Sequence, residues 1–517
     1  MVVQSTYNVV VPLSNGSEKP RYHALLNVLA GVIDVVDDTV AQELGVFQPS
    51  TNRSPNEIAI TDLISQNSPA KVSSQSLPPE TLDYLDRRGY LFESRAEERR
   101  RSLMIYDEML RFHRKIVRQP MVAIPSYNCD LKCPYCWQRL YHMDSPIMTE
   151  EMAKHLFGVL PNFIEVDSPE RVDFVVFGGE PLQDIPNLRK RVLQLLALAR
   201  DAGYSTKIIS NGVGLGPSIP YLKDAMDLIQ ITIDGPAEVH NKRRPHPKTR
   251  DSFTPMVEGV TRALEAGIRI NVRVNTDLTN LDRLPELSDF AKDQGWLDSK
   301  LLRFHLAPVK NHNTRRATPS ESVLLNKVLD KVKQDPRMTI YDLTGFPGIK
   351  YFQGFKESGL FSLHRFFNCE AQINFFAFDL EGDIYSCWDA AGLKHLAVGR
   401  FHPNVTIDNE ELGKWRGRTS LDIAGCEGCA SSPHCGGGCQ FLTLEHKETF
   451  LAPNCDSMME GYAQSIKENA SWLIEQAMSG SHAVGFVTVD GVQTAVNKPF
   501  GIMDMDDGNN ELSVRSG

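Results

Sequence analysis

The sequence predicts an α/β fold in which parallel strands, each followed by a helix, curl into a full or partial barrel. Six short apolar runs between Pro120 and Pro336 are each followed by a segment of helical periodicity, and right-handed crossovers turn such a series into a curved parallel sheet. The residues with chemical potential fall just after these runs, where α/β barrels carry their sites. A third observation is the division of the ten cysteines: three share one loop at 129–136, seven lie between 369 and 455, and none precedes residue 129.

The 517 residues correspond to about two to four domains and can bury a large core. A net charge of -10 without any basic, aromatic-interleaved stripe argues against a nucleic-acid binder. The start, MVVQSTYNVV, lacks the charged and apolar regions of a signal peptide, and no apolar run reaches the roughly 18 residues of a membrane span. A cytoplasmic protein is expected, with no membrane partner. Thiols kept reduced there serve metals or catalysis rather than a disulfide framework.

The elements follow in order. Residues 1–118 read as a separate small α+β module: YNVVVPL as a strand before the turn SNGSEK, then RYHALLNVLAGVIDVV, then LPPETLDYLDRRGYLF with a proline start and helical spacing. Residues 48–76, rich in Ser, Asn and Pro, read as a loop, and EERRRS at 97–102 as a solvated helix face. The barrel units are VAIPS with 148–164, VDFVVF with 186–202, TKIIS with 218–226, LIQITID with 253–267, IRINVRVN with 281–294, and LLRFHLAPV with 319–333. Residues 456–476 have the spacing of a closing helix. Residues 477–517 form a tail in which VGFVTVDGV alternates like a strand.

Cys129, Cys133 and Cys136 stand in SYNCDLKCPYCWQ at a Cx3Cx2C spacing after the first run. Three thiolates on one loop can hold three irons of a cubane cluster and leave the fourth iron without a protein ligand. Zinc would want a fourth ligand to close a tetrahedron, for which His142 is the local candidate. The second run ends in Gly178, Gly179, Glu180 and Pro181. The glycines let backbone approach a ligand, and the carboxylate suits an ammonium, although an ordinary strand-ending turn reads the same way. The third run ends in Ser210, Asn211 and Gly212, and the fourth in TIDGPAEVHNKRR.

In this order the motifs resemble the radical S-adenosylmethionine (radical SAM) enzymes, whose cluster loop has an aromatic before its last cysteine, here Tyr135, and whose GGEP motif faces the SAM amino group. The resemblance implies a partial (β/α)6 TIM-like barrel over 119–345. It implies a 4Fe-4S cluster on Cys129, Cys133 and Cys136, and SAM near Tyr135, Gly178, Gly179 and Glu180. It also implies contacts to the SAM ribose and carboxylate from Ser210, Asn211, Thr232 and Asp234. The fourth motif departs from the related pattern SxDGPxxxHDxxR: Thr232 keeps the hydroxyl of the Ser, whereas Asn241 lacks the charge of the Asp, which puts any ion-pair role there in doubt. Arg244 stands at the motif's Arg, where an ion pair fixing the loop is the plain alternative.

The later cysteines run Cys369, Cys387 after Gly382, Cys426-x2-Cys429-x5-Cys435-x3-Cys439, and Cys455. A zinc ribbon would fit GCEGC and HCGGGC alone. Behind this barrel the set resembles the seven-cysteine SPASM domain, expected over 346–476, with two auxiliary 4Fe-4S clusters. The resemblance gives Cys369, Cys387 and Cys439 to the first and Cys426, Cys429, Cys435 and Cys455 to the second. All ten cysteines are then used, and the first auxiliary cluster either keeps an open iron or takes a His, carboxylate, water or substrate ligand.

By resemblance, reductive cleavage of SAM supplies a 5′-deoxyadenosyl radical that takes hydrogen from an unactivated C–H bond. The expected activity is oxidative modification of a ribosomally made precursor peptide, with crosslinking of side chains as the main candidate. The expected partners are the peptide with its leader and a flavodoxin- or ferredoxin-type electron donor. Residues 1–118 resemble the leader-binding RiPP recognition element, with a simple extension packed on the barrel as the alternative. The competing activities are formylglycine formation by a sulfatase-type maturase, for which Asp389 is the candidate base despite the intervening Trp388 and a surface carboxylate is the plain alternative, and a zinc-stabilised, non-catalytic peptide-binding protein.

Overall fold

The computed structural model of the chain describes residues 2–13, 21–44, 77–140, 145–310, 312, 320–359, 365–455, 457–480, 483–488 and 491–493. The loop expected at 48–76, His142 and most of the tail lie outside the described residues.

All six predicted strands form, and they lie side by side in chain order. One sheet runs Tyr341–Asp342, Leu302–Pro308, Ile270–Thr276, Leu228–Thr232, Ser205–Ser210, Val172–Val176, Gln119–Ile124 and Phe376–Asp379, parallel throughout. The strands Asp383–Tyr385, Gly399–Arg400 and Thr406–Ile407 continue it antiparallel. The sheet is therefore an open α/β barrel. Its first strand is extended by the Phe376–Asp379 hairpin of the cysteine-rich domain, a pairing that spans some 250 residues of sequence and leaves no local periodic signal.

Alternation along the strands sorts two faces. Ile208, Ile229, Val272 and Phe304 are buried under the helices Pro186–Asp201, Phe253–Glu265 and Leu284–Asp293. The other face of the fifth and sixth strands is polar, with Asn271, Arg273, Asn275 and His305. That face is the concave one: the Asn275 side chain reaches the Tyr135 hydroxyl, 3.4 Å away on the loop after the first strand, across the lumen.

The N-terminal module is built from both ends of the chain. Asn8–Leu13, Tyr22–Asn27 and Val32–Asp37 form an antiparallel meander, and Val484–Thr488 pairs in parallel with Val32–Asp37 before turning into Gly491–Gln493. Asp34, fully buried, fastens the joint. It takes two bonds from Arg88 at 2.9 Å, one from the Tyr90 hydroxyl at 2.8 Å and one from the Gly485 N–H at 2.7 Å. A Cβ on Gly485 would stand 2.0 Å from the Tyr84 hydroxyl oxygen, so this strand approaches only as glycine. Helix Arg95–Ile116 then leads to the barrel. Its EERRR segment is only partly a solvated face, because Glu98 is buried and accepts from Ser5, Thr6 and Arg95. A shared core joins the module to the helices Pro347–Ser358, Met458–Glu468 and Ala470–Met478, the last two being the expected closing helix broken at Asn469. Among the described residues, no helix is long and apolar enough to cross a membrane.

Candidate active site

The loops after the first three barrel strands form one braced unit. Gly178 and Gly179 have φ of +99° and +33°, and a Cβ on Gly179 would lie 2.0 Å from the Asn128 carbonyl oxygen, so the backbone here presses directly on the cysteine loop. The Glu180 N–H donates to that carbonyl at 2.7 Å. The Glu180 carboxylate accepts from the Leu182 N–H and the Ser210 hydroxyl at 2.8 Å, and from the Asn211 N–H at 2.5 Å. Burial first, and Asp130 second, push this carboxyl up to about 7, a cost that an ammonium brought beside it would offset. The Asn211 amide donates to Asp130 at 2.6 Å and lies 3.9 Å from the Cys129 sulfur. Sequence reasoning missed Gln183: oriented oxygen-inward, its amide accepts the N–H groups of Cys129 and Asp130 at 3.0 and 2.6 Å.

The fourth strand closes the ring. The Tyr135 hydroxyl donates to Asp234 at 2.5 Å and accepts from Arg244 at 2.7 Å, while the Arg243 guanidinium lies over the Tyr135 ring at 5.2 Å. Asp234, fully buried, also takes Arg243 at 3.3 Å and the Asn275 N–H at 3.2 Å, so it braces the cysteine loop against the fourth and fifth strands. Thr232 is buried and in register with Arg273. The Asn241 departure has a physical account. Its oxygen accepts the N–H groups of Ser252 and Phe253 at the start of a helix, while its NH2 donates to Asp251 at 3.1 Å, which an aspartate could not do. Arg244 makes no carboxylate ion pair among the described residues. Its Nε is buried without a partner beside Cys133.

Burial pushes the Cys133 thiol up to about 11 and those of Cys369 and Cys426 up to about 12. Thiols so placed become thiolates only beside strong positive charge, which bound iron supplies. Among the described residues, no three His, Cys, Asp or Glu side chains converge as ligands of a single ion.

Some of the later cysteines lie near one another. Cys387 and Cys369 each feel Cys439, and Cys426 feels Cys429 and Cys455. Near them stands a residue without any sequence signal, Arg418, 1 % exposed. It donates to the carbonyls of Gly436, Gly437, Gly438, Phe450 and Ala452 at 2.7–3.2 Å and senses Cys426 and Cys435 as well as Cys439 and Cys369. The three glycines, all with positive φ, wrap around it, and a Cβ on Gly438 would meet the Asn454 carbonyl oxygen at 1.7 Å.

Asp389 is buried rather than on the surface, and it pairs with Lys310, from beyond the sixth strand, at 2.7 Å. Burial works to raise the Asp389 carboxyl, but Lys310 and His312 outweigh it and hold it below the usual range. Burial likewise opposes the Lys310 charge, yet Asp389 and the thiols of Cys439 and Cys387 keep its amine above the usual value. The Lys310 side chain is 47 % exposed, whereas the Asp389 it pairs with is 9 % exposed. Aromatic rings connect the loops of Cys136 and Cys387: Trp137, next to Cys136, lies 6.4 Å from Phe177, which lies 5.2 Å from Trp388, next to Cys387.

Fold and site together define an open α/β barrel whose braced loops follow its parallel strands and touch the segment that carries Cys387. Residues 123–290 match the family described as the Radical SAM superfamily, so the chain carries a radical SAM domain there. Two curated relatives are a serine-type anaerobic sulfatase-maturating enzyme of Bacteroides thetaiotaomicron, 23% identical over 35% of this chain and 44% of its own, and an Fe-coproporphyrin III synthase of Methanosarcina barkeri, 26% identical over 32% and 39%. The chain thus matches less than half the length of these relatives. Among solved structures, native anSMEcpe with bound AdoMet and Cp18Cys peptide is similar with a TM-score of 0.51 and 16% identity, over 70% of this chain and 99% of that one. The shared fold therefore extends well beyond the barrel segment.

Proposed function

We propose that this protein is a radical SAM maturase that oxidatively modifies side chains of a ribosomally made peptide. The observation that carries the reading is that the loops of Cys136 and Cys387 are brought together, by the Trp137–Phe177–Trp388 ring contacts and by the ion pair of Asp389 with Lys310 beyond the sixth strand. In this reading Cys129, Cys133 and Cys136 hold the SAM-binding 4Fe-4S cluster and the other seven cysteines hold two auxiliary ones. The cluster and SAM, when bound, supply a 5′-deoxyadenosyl radical, and the protein orients what that radical meets. Glu180 offers its remaining lone pairs to the SAM ammonium, and Arg244, with its unpartnered Nε beside Cys133, suits the carboxylate. The similarity to a peptide-bound maturase structure supports a peptide as substrate.

The N-terminal module would hold the leader. A leader that bound by strand addition beside Val32–Asp37 would have to displace the chain's own Val484–Thr488. A second reading, formylglycine formation, is favoured by the sulfatase-maturase relative. Against it, Asp389 is held as an ion pair with Lys310, which weakens it as a base.

Iron and acid-labile sulfide after anaerobic reconstitution test the cofactor set: about twelve of each per chain is expected for three cubanes. About four iron would remove the auxiliary clusters, and zinc alone would establish the non-catalytic alternative. Formation of 5′-deoxyadenosine from SAM and loss of two hydrogens from a candidate peptide test the activity. Oxidation of Ser or Cys in a sulfatase peptide would favour the second reading.

A further inference from the structure

Among the described residues, Arg243, Lys310 and Arg244 each have an anionic group at hand, and Arg273 differs from them. Arg243 has Asp234 and Asp277, Lys310 has Asp389, and Arg244 lies beside Cys133, whose thiolate is the anion there in the cluster-bound state. Arg273, on the concave face of the fifth strand, has no carboxylate within ion-pair distance among the described residues. Its Nε donates to Asn275 at 2.9 Å, two positions along the same face, and no acceptor of the described residues takes the rest of the guanidinium fork.

Register fixes its place: Arg273 stands level with Thr232 on one neighbouring strand and with His305 on the other. Its charged neighbours are Asp389, Tyr135 and Asp234. No cysteine is prominent among them, whereas Cys133 is the leading charged neighbour of Arg244. Arg273 therefore faces the lumen between Tyr135 and Asp234 on one side and Asp389 on the other, away from Cys133, the charged neighbour of Arg244. A guanidinium does not shed its charge on burial, and its fork matches a carboxylate with two parallel bonds. His305 beside it is no rival cation. Burial, then the Arg273 charge, lowers its imidazole to about 4, and its Nδ1 is bonded to Asn271 at 2.9 Å.

We infer that Arg273 is a substrate-reading residue that binds the side-chain carboxylate of an acidic residue close to the position attacked, so that the peptide this enzyme accepts carries Asp or Glu in the segment entering the barrel. The inference rests on the proposed peptide-modifying reading and deepens it.

The test uses the full chain, anaerobically reconstituted and incubated with SAM. Two pools of short, terminally blocked peptides are compared, one with a fixed Glu and one with Gln at that position, all other positions being randomised. Peptide retained with the enzyme is quantified by mass spectrometry, and SAM binding is measured in parallel. The expected result is at least about tenfold enrichment of the Glu pool, lost in Arg273→Met and partly kept in Arg273→Lys, with SAM binding unchanged in both. Equal retention of the two pools, or a Glu preference that survives in Arg273→Met, would overturn the inference. Loss of SAM binding in Arg273→Met would overturn it too, by giving the arginine to the SAM carboxylate. Failure of the wild-type enzyme to form 5′-deoxyadenosine is a separate outcome: with a Glu preference intact it removes the radical reading and leaves the carboxylate site standing.

Discussion

The N-terminal module and the barrel each place an arginine inside the fold, and they treat it in opposite ways. In the module Arg88 is enclosed with Asp34, Tyr84 and Tyr90, and the same aspartate also holds Gly485 of the far chain end. In the barrel Arg273 lies on a polar concave face with one bond to a neighbouring amide and no carboxylate within ion-pair distance among the described residues. The first arrangement is complete and serves assembly. The second is incomplete and awaits a ligand. A buried cation by itself therefore says little about function; the satisfaction of its hydrogen bonds and charge separates the two uses.

The comparison is broken most severely at a third arginine. Arg418→Met would leave five buried carbonyls without their donor, each at about 1–3 kcal/mol, and the glycine wrap that carries the cysteines would open. Reconstituted iron is expected to fall from about twelve toward about four per chain. Next in size is Asp34→Ala, which strands Arg88 in the core and removes the Gly485 bond. It should destabilise the module by about 3–5 kcal/mol in denaturant unfolding while SAM cleavage by the barrel persists. The contrasting expectation is that Arg273→Met shifts unfolding by less than about 1 kcal/mol, because no ion pair is lost with it.

The smallest effect sharpens the account of the lumen. The His305 imidazole is lowered from 6.5 to about 4, so the folded state resists its protonation. The stability this contributes is fully present above the unfolded value of 6.5 and is lost as pH falls through 6.5 toward the folded value near 4. From about pH 7 down to about pH 5.5, before acid attacks sulfide, the denaturation midpoint should fall less steeply in His305→Asn than in the wild type. It should also fall less steeply in Arg273→Met, since removing the guanidinium raises the folded value of His305.

Legibility followed distance along the chain. The Cx3Cx2C loop, the Gly-Gly-Glu turn and the six strand-helix units could be read because each lies within a few turns of backbone, where periodicity and spacing are themselves the physics. The burial of Asp389 could not, because its charge partner comes from beyond the sixth strand. Glu98 was hidden inside a run of charges that looks solvated from composition alone.

The sequence by itself determined the six barrel strands, the order in which they follow, and the spacing of the thiols. Tertiary structure alone decided that residues 484–488 complete a sheet begun at residue 8, that Arg418 stands near Cys426, Cys435, Cys439 and Cys369, and that Thr232, Arg273 and His305 face the lumen level with one another. A two-residue period tells which residues share a face of one strand. It does not say which neighbour lies across from them, because that register is set only when distant segments pack and exclude water from between them.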